Sequence, residues 1–129
     1  MKLGLYEERT RITLYLPDSV PAEGKAVQDF KLYLEQLRTK QSGKGRITGY
    51  TTTRAFPHPF VGMWWSAKRR QWVREQLSIV VLDHELPISD QRCRDQIDDL
   101  KKAAAQSYDN HNRHQEEIWL VAQPIWRND

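Results

Sequence analysis

An α+β fold is predicted by three features of the 129-residue sequence. Two stretches carry apolar residues at helical spacing, Val27, Phe30, Leu34 and Leu37 in one and Cys93, Ile97, Leu100 and Ala104 in the other. That is the periodicity of a helix with one buried face. Around them, segments such as Thr10 to Leu16 alternate apolar and polar side chains, the period of a half-buried strand. The run from Phe60 to Leu86 reads as two strands folded back through a basic turn, and it supplies the sheet with its centre.

In chain order, residues 10–16 place Ile12, Leu14 and Leu16 on one face and Arg11, Thr13 and Tyr15 on the other. Pro17 ends this strand, because proline has no N–H to give a ladder. Residues 1–9 either extend it or lie as an N-terminal arm. Asp18 and Ser19 before Pro21 start an amphipathic helix over 22–40, proline being tolerated in a first turn. Gly43 and Gly45 break it. Residues 46–53 are β-branched and form a second strand, in which Gly49 marks a bulge or a close backbone approach. Pro57 and Pro59 make a restricted loop. Gly62–Ser66 and Trp72–Leu82 form a hairpin across a turn at 67–71. Ser89 caps a second helix with Asp90 in its first turn, running to about Asn110. A polar connection leads to a last strand over 117–123, which Pro124 stops. Residues 124–129 are a tail that folds back through Trp126.

The order is β-α-β-β-β-α-β, or β-α-β-β-α-β if 46–53 and 60–66 are pieces of one bent strand. Either order fits one domain over residues 1–129 and the split βαβ arrangement of ferredoxin-like folds. Right-handed crossovers put both helices on one face of an antiparallel sheet.

Composition supports a folded domain and excludes several classes. Hydrophobic residues make up 39% and charged residues 29%, too apolar for a disordered chain. A net charge of +3 permits acidic partners without arguing for them. A single cysteine, Cys93, excludes an internal disulfide and an all-cysteine zinc site. The first residues carry no signal-like apolar region, and no run reaches the roughly 20 apolar residues of a membrane span. A cytoplasmic protein without membrane contact or cofactor is expected.

On the long strand, Val73, Glu75, Leu77, Ile79 and Val81 share the more continuously apolar face, assigned to the helices. Trp72, Arg74, Gln76, Ser78, Val80 and Leu82 share the other, which a two-layer domain leaves uncovered. A semi-apolar uncovered face marks an interface, and a two-fold homodimer is the commonest occupant.

Glu75 stands out as a carboxylate among aliphatics, where desolvation raises a pKa and suits a group to proton transfer. Pairing with a basic neighbour at the strand edge is the plainer explanation. His84, in the sequence Asp83-His84-Glu85, is a second proton-transfer candidate. Lys68, Arg69, Arg70 and Arg74 interleave with Trp72 in the pairing that single-strand binders use, arginine for phosphate and an aromatic for a base. The aromatic consensus of RNA-binding sheets is absent. Trp64 and Trp65 point to opposite faces, and the outward one is an interface anchor. His111 and His114 have the spacing of a metal pair but sit in a polar loop, so no metal is expected. No P-loop, dinucleotide fingerprint or nucleophile elbow occurs.

Gly62-Met63-Trp64, then Val73-Arg74-Glu75 before an apolar strand, then Gln115 to Leu120 form a pattern that resembles a family of small uncharacterised bacterial proteins with a ferredoxin-like domain. The resemblance spans about residues 11–122 in element order. It implies the fold, highlights Trp64, Arg74, Glu75 and Gln115, and implies no reaction.

The reading is a dimeric binding or assembly module acting through the open sheet face. Binding residues are Trp64, Arg69, Arg70, Trp72, Arg74 and Gln76. Two alternatives stand beside it. One is an enzyme of the dimeric α+β-barrel type using Glu75 or His84 in a cavity between helices and sheet. The other is a single-stranded nucleic-acid binder through residues 68–74.

Overall fold

The computed structural model describes residues 2–3, 6–40, 43–52 and 60–128. The elements are β1 (Lys2–Leu3), β2 (Tyr6–Pro17), α1 (Pro21–Thr39), β3 (Ile47–Thr52), β4 (Phe60–Ser66), β5 (Gln71–His84), α2 (Gln91–Asp109) and β6 (Trp119–Arg127). The strands pair into one antiparallel sheet, and the two helices complete an α+β architecture.

β5 is the central strand. One edge pairs with β2, from Leu77 opposite Pro17 to His84 opposite Thr10. The other edge pairs with β3 over Val80 to His84 and with β4 over Gln71 to Leu77. β3 and β4 therefore lie end to end along a single edge. The ladder of β3 shifts register between Ile47 and Gly49, the irregularity expected at that glycine. The predicted loop containing Pro57, His58 and Pro59 lies outside the described residues. β6 pairs with the far edge of β2, from Trp119 opposite Tyr15 to Arg127 opposite Glu7. It runs through Pro124 instead of stopping there, and Trp126 continues the ladder opposite Glu8. Proline is tolerated because, among the described residues, β6 pairs on one side only.

The core lies between the sheet and both helices. Ile12, Leu14 and Leu16 of β2 meet Val80 and Leu82 of β5, with Phe30 and Leu34 from α1 and Leu100 and Tyr108 from α2. Tyr108 donates its hydroxyl to the carbonyl of Pro17 at 2.7 Å, so this buried phenol is satisfied. α2 is capped by Asp90, one residue later than the expected Ser89, its carboxylate accepting the Arg92 N–H at 2.9 Å. Val20 at the start of α1 makes no side-chain cap, and Glu23 instead accepts the Ser19 N–H at 2.8 Å. No helix among the described residues is long and apolar enough to cross a membrane.

The helices cover the Ser78, Val80, Leu82 and His84 face of β5, the reverse of the expected assignment. The cause is the length of the strand. Over residues 78–84 this face is buried, whereas Trp72, Arg74 and Gln76 share its parity but project past the core, with Trp72 64% exposed. The covered half sets Val80 and Leu82 beside the buried, hydrogen-bonded Ser78 and His84, and the overhang adds Arg74 and Gln76, so averaged over the strand this face looks mixed. Val73, Glu75, Ile79 and Val81 lie on the opposite, open face, each half-buried.

Candidate functional site

The overhanging hairpin builds a cleft. Its turn is fixed by Ser66, whose hydroxyl accepts the Arg69 N–H at 3.0 Å and whose carbonyl accepts the Arg70 N–H at 2.7 Å. Arg70 adopts a φ of 55° there. Trp64 stands opposite Val73 and Gly62 opposite Glu75, so Trp64 and Glu75 share a face as diagonal neighbours. The Trp64 indole N–H donates to Glu75 Oε2 at 3.0 Å. Trp119 of β6 stacks on Tyr15 of β2, ring centroids 4.3 Å apart. The segment after α2 adds Gln115 and Glu117. These side chains enclose a cavity of about 320 Å³.

Gly62 keeps that cavity open. A Cβ there would lie 2.6 Å from Leu77 Cδ1 and 3.6 Å from Trp119 Cζ3. A second cleft, of about 170 Å³, is bordered by Glu23, Arg69 and Arg113 and shares Trp64, Glu75 and Gln115 with the first. The Arg113 to Glu23 contact at 3.5 Å and the Ser66 to Glu116 hydrogen bond at 2.8 Å fasten the intervening segment to α1 and to the hairpin.

Burial pushes the Glu75 carboxyl above the ordinary carboxylate range. The indole hydrogen bond of Trp64 opposes this, the nearby Glu23 adds to it, and Arg69 and Arg113 offset it at longer range. A carboxyl with a raised folded pKa costs stability once it ionises, so this cost sets in as pH rises through the unfolded value near 4.5 and is complete above the folded one. Glu75→Gln keeps an acceptor for Trp64 and removes the charge. We expect it to melt about 3 °C higher than the native chain at pH 8, less than ~1 kcal/mol, and at the same temperature at pH 4, as read by differential scanning calorimetry.

The structure brings Trp64, Arg69, Glu75 and Gln115 together. Arg70 sits in the turn, while Trp72 makes an edge contact with Trp65 at 5.9 Å on the other face. Arg74 and Gln76 border a third cleft with Ser19 and Val61, which Glu75 also reaches. His84 is fully buried and lies apart from these clefts. Its Nε2 contacts the Lys44 carbonyl at 3.0 Å and its Nδ1 accepts the Leu86 N–H at 3.1 Å, so both ring nitrogens are bonded to backbone and burial lowers its pKa. The space between helices and sheet, where the alternative of a barrel-type enzyme places its cavity, is filled by the core. His111 contacts Asp29 at 2.7 Å and His114 contacts Asp109 at 2.9 Å, and among the described residues no three potential ligands gather.

Sequence reasoning missed Tyr15, Trp119 and Glu117 as site residues. The available signal was that Trp119 alternates with the inward Leu120 and so shares the outward side with Val121.

Fold and site together define an α+β domain with an aromatic cleft built around a half-buried carboxylate. The chain matches no family model and no curated protein.

Proposed function

We propose that this protein is a dimeric binding module of the ferredoxin-like class, and that the cleft beside Glu75 holds a small organic ligand. One observation carries the reading: a half-buried glutamate, held by an indole N–H, sits among aromatic walls in a cavity of about 320 Å³. Apolar walls with few convergent polar groups are what small-molecule sites require. The ferredoxin-like assignment is supported by the order β3 and β4, β5, β2, β6 across the sheet, with β3 and β4 counted as one broken strand.

NMR tests the site. In a screen of charged and neutral fragments, some compounds are expected to shift the Trp64 indole N–H signal while leaving the core methyls of Leu14 and Leu100 unmoved. If no fragment of any charge moves that signal, the reading is lost.

Dimerisation is supported by the open face, where Val81 lies half-buried in register with Thr13 and, beyond it, Val121, which is 40% exposed. A two-fold pairing would cover this strip with its own copy. Light scattering should give twice the chain mass of 15.3 kDa, and Val121→Asp should restore a single chain. An unchanged mass in the variant would sink the pairing.

A further inference from the structure

The proposed ligand site can be narrowed to a chemical class. Glu75 is half-buried, yet its one hydrogen-bond donor among the described residues is the neutral indole of Trp64, and it forms no salt bridge there. Carboxylates so placed are ordinarily paired with a cation. Arg69 and Arg113 influence Glu75 from the adjoining cleft but do not line the aromatic one. The described residues lining that cavity include the carboxylates of Glu75 and Glu117 and no lysine or arginine. Two negative groups therefore face the cavity in a chain whose net charge is +3.

The walls add a second preference. Trp64, Trp119 and Tyr15 present π systems, whose faces attract cations, with tryptophan the strongest. Trp119 is braced by its stack on Tyr15, so its position is set before any ligand arrives. A bare metal ion does not fit this lining, whose described residues offer apolar surface and two carboxylates. An anion is opposed by both carboxylates. A neutral sugar could stack on the rings but leaves Glu75 without a counter-charge.

We propose that the cleft formed by Tyr15, Trp64, Trp119, Glu75 and Glu117 binds a small organic cation of the alkylammonium class, ringed by the aromatics and paired with Glu75. The proposal rests on the ligand-site reading above and specifies its charge.

The test uses the intact native chain with choline, its uncharged carbon isostere 3,3-dimethylbutan-1-ol, and glucose, followed by tryptophan fluorescence. Choline is expected to quench saturably, with the isostere at least tenfold weaker. Glu75→Gln should weaken choline at least tenfold and leave the isostere unchanged. Trp119→Ala should weaken both, with far-UV circular dichroism confirming that each variant is folded. Equal binding of choline and its isostere, or saturation by glucose alone, overturns the cation while leaving the ligand site intact. Failure of choline to bind overturns the cation as well; only silence from every fragment in the NMR screen removes the site itself. The comparison of choline with its isostere needs no variant, so it decides the matter even if a substitution unfolds the chain.

Discussion

Val80→Asp is expected to unfold the protein, whereas Val81→Asp, one residue further on, is expected to leave it folded. Val80 is completely buried, opposite Leu14 on one side and Thr52 on the other, beneath the helices. Losing the valine forfeits about 1.5–3 kcal/mol of apolar burial. Placing an unpaired carboxylate there adds several kcal/mol more, because nothing nearby can compensate the charge. Together these approach the ~5–15 kcal/mol that holds a typical domain folded. Val81 faces the open side and is half-buried, so an aspartate there can reach water. Amide NMR dispersion distinguishes the outcomes. A dispersed spectrum for Val80→Asp with a collapsed one for Val81→Asp would mean that the faces are assigned the wrong way round.

Gly45→Ala should cost about 3 kcal/mol, seen as a lower urea midpoint with an unchanged slope. Gly45 has a φ of +92°, and a Cβ there would lie 2.5 Å from His84 Cε1 and 2.8 Å from Leu86 Cδ1. His84 cannot swing away without giving up its contact with Lys44, and it has no exposed surface to relax into. Backbone strain supplies about 1–3 kcal/mol and the disturbed histidine about 1 more. Gly49→Ala is the control, since nothing lies within 4 Å of the added carbon. The same histidine sets a pH dependence. Its folded pKa is depressed, so the unfolded chain takes up the proton first and stability falls as pH drops below about 6.5. His84→Gln should lose less stability than the native chain between pH 7 and pH 5. Parallel losses in the two proteins would assign the effect to other groups.

The helices and β2 were legible because each carries an apolar stripe of one unbroken period. Phe30 and Leu34, or Leu100 and Ala104, meet the core where their spacing places them. The face of β5 was not legible, because a strand's period is fixed by its residues but the extent of its cover is fixed by helix placement. Ser78 and His84 face the core with hydrogen bonds that satisfy them, to Asp18 for one and to backbone for the other. Read as a string, such residues lower the apparent apolarity of a face that is in fact interior. Glu75, Trp64 and Gln115, which stand out in the sequence, border the same clefts because all three belong to the hairpin or the segment packed beside it. Tyr15 and Trp119 were missed because they join the cleft only through the register of β2 with β6, a pairing across 104 residues that no local pattern encodes. Pro124 misled for a related reason: whether a proline interrupts a strand depends on which side that strand pairs.

The overhang of β5 gives one continuous strand two mechanical characters. From Val80 to His84 it has strand neighbours on both edges and helices above, so its amides are expected to open only when the whole domain does. From Gln71 to Glu75 its one strand partner among the described residues is β4, and at Gln76 the carbonyl accepts the Asp18 N–H at 2.8 Å while the N–H meets the Ser19 hydroxyl at 3.0 Å. That clamp separates a rigid frame from a small cantilever. The cleft lies on the cantilever side, where a ligand can tighten a few residues without asking the core to move.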